Sequence, residues 1–306
     1  MAITEDYDGE SSEQIDGRNW LDVIHDTTRW CADQWNLTIG HELRLGLVGY
    51  VMEATDSDDR PLVLKLRDPG RLYQREVAAL GAFNGRGAAK IISSAPEKGA
   101  MLLERVNPGT EMGELADRVD TAEGAVGLIK TLHNERGRAE RLEKGRSAGL
   151  LEVDEQMRHW AKSVREYDGS CFISEERRAR AADQLEEFVG MFDITDVIHG
   201  DLHVGNILRE GESGWRSVDP KGLLGSIEFE LAWWLRDAPT ETSRPAAAVL
   251  QRRLDALVDA FGVDRDLLLE WARSLAVMLT VSRCSANIFW DGERQSFCVE
   301  ALDSIR

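Results

Sequence analysis

A chain of 306 residues, 42% hydrophobic and 30% charged, has enough apolar mass for a sizeable core and enough length for two lobes with a shared interface or for one large domain, which excludes a single small module and confines expected disorder to the ends. Its formal net charge of -18, from 55 acidic against 37 basic residues, repels nucleic-acid phosphates and anionic membrane surfaces and favours cationic small molecules, or does no more than keep the protein soluble. The N-terminus MAITEDYDGESSEQ lacks the basic start and apolar run of a secretory signal, no apolar stretch approaches a membrane span, and Cys31, Cys171, Cys284 and Cys298 show neither a CxxC pair nor metal-ligand spacing; a cytoplasmic protein without disulfides and without a nucleic-acid or membrane partner is expected.

Residues 1 to 17 are acidic, serine-bearing and aperiodic and are predicted to form a flexible tail. Trp20, Val23, Ile24, Trp30, Ala32 and Trp35 recur at roughly helical spacing, which predicts an amphipathic helix before the first sheet. From Glu42 to Leu66 the stretches LRLG, GYVMEATD and PLVLKLR, separated by Asp56, Ser57, Asp58 and Asp59, predict two or three antiparallel strands. A helix from Leu72 to Phe83 follows, then a strand near Lys90 to Ser94, a turn at Pro96 to Gly99, a strand from Ala100 to Arg105 and a break at Pro108 and Gly109.

Beyond the break the pattern is helical, with periodic runs at about 121 to 135, 150 to 166, 174 to 192, 228 to 236, 244 to 262 and 264 to 288. The exception is 197 to 220, where two short strand-like runs flank a turn. The layout predicts an α+β fold with an antiparallel sheet lobe over residues 18 to 106 and a larger helical lobe over 107 to 306, arranged as in protein-kinase-like folds.

The segment HGDLHVGNIL, His199 to Leu208, carries the chemistry. Phosphoryl transfer to a hydroxyl needs a group that orients and deprotonates the nucleophile, divalent ions that bridge the phosphates, and cations that offset the charge of the stretching bond. Asp201 follows Gly200 and can present its carboxylate, Asn206 stands five positions on with an amide oxygen, and Asp219 opens DPKG after the strand-like SVD. Singly, such an Asp or Asn could merely cap a turn. Upstream, Lys65 between Leu64 and Leu66 lies on a predicted strand and Glu76 on the following helix, 11 residues apart, a geometry suited to an ion pair and also to a plain surface pair. Gly46 and Gly49 in LRLGLVGYV could let backbone amides approach phosphate, although a hairpin turn accounts for them almost as well.

HGDLHVGNIL followed by DPKGLLG resembles the aminoglycoside and hydroxyurea phosphotransferases, in particular the streptomycin 6-phosphotransferase branch. The resemblance covers nearly the whole chain after the tail and is strongest from 197 to 236. It implies a bilobal kinase-like fold, with Asp201 as catalytic base, Asn206 and Asp219 as Mg2+ ligands, His199 as a structural brace, and Lys65 held by Glu76 against the α and β phosphates of ATP or GTP. It further implies backbone contacts from Glu104 and Val106 in LLERVNPG to the nucleotide base. The chain departs from the family at Glu230 in GSIEFELAWWLRD, where the family places an aspartate that usually braces the catalytic loop.

Glu228, Asp237, Glu241, Trp290, Asp291 and Glu293 are candidate contacts to a cationic acceptor, since acids and an aromatic ring can hold an ammonium or guanidinium; each also suits a solvated helix face. The expected activity is direct in-line transfer without a phosphoenzyme, to a streptomycin-like aminocyclitol or else to hydroxyurea, an amino sugar or another amine, by a monomer or homodimer. A non-catalytic kinase-like binder is a rival, opposed by the joint presence of Lys65, Asp201, Asn206 and Asp219. A metallohydrolase built on His199, Asp201 and His203 is another, opposed by the lack of any companion motif at His25, His41, His133 or His159.

Overall fold

The computed structural model describes residues 14–15, 18–45, 49–116, 120–237, 243–286 and 288–305. Gly46, Glu241 and most of the expected tail, residues 1–13 and 16–17, lie outside the described residues. Strands β1 (Gln14–Ile15) and β2 (Arg18–Asn19) pair as a short antiparallel ribbon ahead of α1 (Trp20–Trp35). Then come β3 (Thr38–Leu45), β4 (Tyr50–Thr55), β5 (Pro61–Leu66), α2 (Arg71–Phe83), β6 (Ile91–Ala95) and β7 (Ala100–Glu104). The five strands form one antiparallel sheet in the order β3-β4-β5-β7-β6. Asp56 closes the β4–β5 turn, its Oδ1 accepting the N–H groups of Asp58 and Arg60 at 3.0 Å each, the local bonding that makes aspartate a turn residue.

Strand alternation decides what this sheet presents to the rest of the molecule. Leu62, Leu64 and Leu66 of β5, with Ala100 and Leu102 of β7, face α1 and bury against Ile24, Cys31 and Leu37. Val63, Met101 and Leu103 face the other way and join the core that contains Tyr73, Leu80 and Phe83 of α2. Lys65 shares the parity of Val63, so its stem emerges on the α2 side. A lysine in an apolar strand is thereby delivered to the space between the sheet and α2 instead of to solvent.

The larger lobe comprises β8 (Pro108–Glu111), α3 (Thr121–Leu132), α4 (Arg138–Ser147), β9 (Leu151–Glu152), α5 (Val153–Glu166), α6 (Glu175–Glu187), β10 (Asp196–Ile198), β11 (Ile207–Glu210), β12 (Gly214–Ser217), β13 (Leu223–Gly225), α7 (Ile227–Leu235), α8 (Ala246–Phe261), α9 (Arg265–Ser285) and α10 (Phe289–Asp303). Two small sheets frame the loop that carries Asp201: β10-β13-β9 on one side and β12-β11-β8 on the other. The expected hairpin between 197 and 220 is β11–β12, and it gains a third strand because Pro108–Glu111, expected only to break the chain, pairs with β11. The α4 helix was not expected from the sequence, and α10 is a helix separate from the long α9.

An aromatic stack fixes the helical lobe. Trp233 of α7 stacks on Trp160 of α5 at 5.5 Å between ring centroids and on Phe229 at 5.6 Å, while Phe229 meets Trp271 of α9 edge-on at 5.8 Å. All four rings are buried, and each such side chain contributes on the order of 2 to 3 kcal/mol of burial plus its ring contacts. None of the helices in the described residues is long and apolar enough to cross a membrane.

Candidate active site

Lys65, Glu76 and Asp219 come together from three elements that are far apart in sequence. The Lys65 ammonium donates to Glu76 Oε1 at 2.6 Å and to Asp219 Oδ1 at 2.5 Å. Glu76 is buried and its second oxygen, Oε2, accepts from the Arg67 guanidinium at 2.9 Å. One buried carboxylate thus holds two cations, and the second, Arg67, had not been read from the sequence. Its signal was there: two residues beyond Lys65 along the same strand direction, Arg67 shares its face.

Burial alone would raise the Asp219 carboxyl, but the charge and hydrogen bond of Lys65, with Arg67 and His199 beyond, hold it well below the ordinary carboxylate range. Burial alone would lower Lys65, and Asp219 and Glu76 outweigh it and raise it. Both groups are therefore ionised. The Asp219 side chain remains 45% exposed, so this carboxylate is open to solvent while the buried Glu76 is not. Gly49 sits beside this cluster: a Cβ there would lie 3.4 Å from Leu66 O and 3.6 Å from Lys65 Cε.

The loop after β10 is tied down by its own side chains. Glu230 Oε2 accepts the His199 N–H at 2.5 Å and Oε1 the Gly200 N–H at 3.3 Å, so the longer acid found in place of the family's aspartate reaches both amides. His199 Nδ1 accepts from the Asp201 N–H at 3.3 Å and Nε2 lies 2.9 Å from Val218 O. Burial lowers the His199 imidazole, so it is neutral with its proton on Nε2, the one tautomer that satisfies both contacts. Asn206 is buried, and its Nδ2 donates to Asp201 O at 3.0 Å while its own carbonyl accepts from Val218 N at 2.9 Å. The amide is thereby oriented with Oδ1 as its remaining acceptor, next to the strand end that carries Asp219. Hard oxygens from Asn206 and Asp219 are the donor chemistry that suits Mg2+, which takes few protein ligands and shares the rest with phosphate and water.

Behind the loop lies a network that sequence reasoning missed. His133 of the α3 C-terminus is buried between Asp196 Oδ2 and Glu230 Oε2, 3.5 Å from each. Asp196 also receives Arg141 of α4 at 2.9 and 2.5 Å. Burial alone would lower His133, but the two carboxylates outweigh it and raise it. Beside this network is a cavity of about 340 Å³ lined by His133, Arg138, Asp193, Asp196, Ser226 and Glu228.

Of the candidate acceptor contacts, Glu228 lines that cavity, where none of the groups around Asp201 reaches. Asp237 and Asp291 are buried and joined by Arg294, at 3.9 Å from Asp237 Oδ1 and 3.5 Å from Asp291 Oδ1; Arg283 holds Asp291 Oδ2 at 2.7 Å. Burial would raise the Asp237 carboxyl, yet Arg236, His203, Arg294 and Arg253 hold it below the ordinary range. Glu293 is exposed on α10, and the Trp290 side chain, like Glu241, lies outside the described residues. At the hinge, Glu104 N–H donates to Lys90 O at 2.9 Å and is not available to a ligand, while Val106 is buried.

The family model described as aminoglycoside/hydroxyurea antibiotic resistance kinase matches residues 34–285. The chain is 26% identical over 290 residues to streptomycin 6-kinase of Streptomyces glaucescens, covering 93% of this chain and 88% of that one. It is 27% identical over 280 residues to hydroxyurea phosphotransferase of Kitasatospora aureofaciens, covering 90% and 76%. Among solved structures, choline kinase LicA of Streptococcus pneumoniae superposes with a TM-score of 0.63 at 13% identity over 92% of this chain and 99% of that one, a likeness of fold.

Proposed function

The chain belongs to the aminoglycoside/hydroxyurea antibiotic resistance kinase family, and from that membership we propose that it transfers the γ-phosphoryl group of ATP to a hydroxyl of a streptomycin-like aminoglycoside. It is a phosphotransferase with an alcohol group as acceptor. The observation that carries the proposal is Lys65 held between Glu76 and Asp219 at 2.6 and 2.5 Å, because it joins the sheet, α2 and the loop after β12 into one charged cluster. A turn cap or a surface pair requires no such convergence.

In this mechanism Lys65 turns from Asp219 to the α and β phosphates, Glu76, itself bonded to Arg67, keeps it in place, and the base packs against the hinge between Glu104 and Val106. Asn206 and Asp219 would hold Mg2+, which when bound offsets charge on the β and γ phosphates. Asp201 orients the acceptor hydroxyl and takes its proton as the oxygen attacks phosphorus. The bond between the γ-phosphorus and the β,γ-bridging oxygen of ATP breaks in line, its electron pair leaves with ADP, and no phosphoenzyme forms. Positioning is left to the bonded loop from His199 to Asn206.

A second acceptor class has a specific observation behind it. Asp237 and Asp291 already have arginine partners, which favours a small uncharged hydroxyl such as that of hydroxyurea over a guanidinium that would have to displace those arginines. One screen separates the two: ADP release from magnesium ATP, and in parallel from magnesium GTP, against streptomycin, other aminoglycosides, hydroxyurea and amino sugars. Turnover with streptomycin is expected. Turnover with hydroxyurea and none with any aminoglycoside replaces the first class by the second, and turnover with neutral sugars alone removes both.

A further inference from the structure

Asp201 has two cations around it that the transfer as described does not use. Lys221 Nζ lies 4.0 Å and Arg236 NH2 3.9 Å from the same oxygen, Asp201 Oδ1. Both stand over the buried Trp233 ring, the lysine at 5.2 Å and the guanidinium at 4.1 Å from its centroid, and that ring is fixed by its stacking on Trp160 and Phe229. The two cations are therefore preorganised by the aromatic core of the larger lobe. Lys221 follows Asp219 by two residues and its side chain is 14% exposed.

Transfer requires like charges to approach. The phosphoryl group arrives with negative oxygens at an acceptor hydroxyl that is itself hydrogen-bonded to a carboxylate. Lys65 is committed to the other end, where it meets Glu76 and Asp219. At the Asp201 end the cations beside the converging charge are Lys221 and Arg236, and of the two Lys221 is the more exposed, 14% against 3%. Its 4.0 Å separation from Asp201 Oδ1 exceeds a hydrogen bond and places the ammonium beside the carboxylate that receives the hydroxyl proton.

We infer that Lys221 is a further catalytic residue, donating from its ammonium to an oxygen of the phosphoryl group during transfer. The inference rests on the kinase mechanism proposed above. In the step, the acceptor oxygen forms the new bond to the γ-phosphorus, the bond from that phosphorus to the β,γ-bridging oxygen breaks, and its electron pair leaves with ADP. The hydroxyl proton passes to Asp201, and Lys221 stays protonated throughout.

The test is ADP release from magnesium ATP with water as the acceptor, which needs no knowledge of the natural substrate, read beside the affinity for magnesium ADP and the thermal unfolding midpoint. Lys221→Met keeps the apolar stem over Trp233 and is expected to lower kcat by about 100-fold, with nucleotide affinity changed by no more than about threefold. Lys221→Arg, which keeps the charge, is expected to recover kcat to within about tenfold of the native enzyme. A Lys221→Met enzyme with kcat within threefold of native overturns the inference. So does a folded Lys221→Met enzyme that loses nucleotide affinity in proportion to kcat, or an equal loss of kcat in the Met and Arg variants. Asp201→Asn is the separate control: if it keeps native ADP release, the kinase mechanism itself fails, whereas loss in Asp201→Asn with native behaviour in Lys221→Met removes Lys221 alone.

Discussion

Glu230 holds the backbone N–H of His199 at 2.5 Å from a wholly buried position. With Gly200 N–H on its other oxygen, this carboxylate satisfies two buried amides, and it faces the buried His133 imidazole at 3.5 Å. Glu230→Ala leaves two buried amides unpaired and removes one of the two carboxylates beside the buried His133, and is expected to cost about 3 to 5 kcal/mol in urea unfolding. Glu230→Gln keeps an acceptor oxygen and loses the charge opposite His133, so a smaller loss is expected. An alanine variant within about 1 kcal/mol of native would show that the loop is held by something else.

His133 gives the same network a pH signature. Burial pulls its imidazole down, but Asp196 and Glu230 raise it above the ordinary value of 6.5. A group that binds its proton more tightly when folded stabilises the fold fully below 6.5, and that stabilisation fades as pH rises through the elevated folded value. The stability difference between the native protein and His133→Gln is therefore expected to be largest near the acid end of the 5.5 to 9 range and to shrink toward the alkaline end. His199 works in the opposite sense, since burial lowers it and protonation below 6.5 favours the unfolded chain. Subtracting the variant from the native curve at each pH cancels that contribution. A pH-independent difference would rule out a charged His133.

The parts of the site that sequence could supply are those where a local pattern fixes the geometry. The lysine between Leu64 and Leu66 in an apolar strand, the acid at Glu76 on the following helix and the spacing of Asp201, Asn206 and Asp219 each rest on neighbours in the chain, and the structure gathers Lys65, Glu76 and Asp219 into one cluster while bonding Asn206 to the Asp201 carbonyl. The acceptor side was not legible in this way. Whether an acid is free depends on which arginine packs against it, and Asp237, Asp291 and Arg294 meet only because α10 folds back beside the end of α7. The α4 helix escaped for a related reason: RAERLEKGRS has no apolar stripe, and what it buries is Arg141, whose partner Asp196 is 55 residues away. β8 escaped because Pro108 and Gly109 are read as chain breakers, whereas its ladder partner, β11, is about a hundred residues on.

The Lys65, Arg67 and Glu76 cluster is expected to behave as a unit. Removing one cation leaves Glu76 paired with the other, at 2.6 Å to Lys65 or 2.9 Å to Arg67, so Lys65→Met and Arg67→Met should each cost about 1 to 2 kcal/mol. The double variant strands a buried carboxylate and should cost more than the sum, with a coupling of at least about 1 kcal/mol. Chemical unfolding of the four proteins closes the cycle, and simple additivity would mean that Glu76 is not held by the two cations jointly. Nucleotide affinity should separate the singles, falling further in Lys65→Met.

Gly222 ties the nucleotide side of the site to the fold. It sits at φ +67°, and a Cβ there would lie 2.6 Å from Arg75 O and 2.9 Å from Ala79 Cβ, both on α2. Glu76 is the residue after Arg75, so anything that pushes α2 away from the DPKG segment moves Glu76 away from the Lys65 and Asp219 pair. Gly211, at φ +57° with nothing within 4 Å of its would-be Cβ, carries the conformational requirement without the contact. Gly211→Ala is expected to cost about 1 kcal/mol, the left-handed penalty alone. Gly222→Ala should cost about 3 kcal/mol or more, adding the clash to that penalty, and should weaken magnesium ADP binding where Gly211→Ala does not. Equal losses of stability in the two variants, with nucleotide affinity untouched in both, would mean that α2 and the DPKG segment can part without disturbing Glu76. The close backbone approach at Gly222 would then have no bearing on the site.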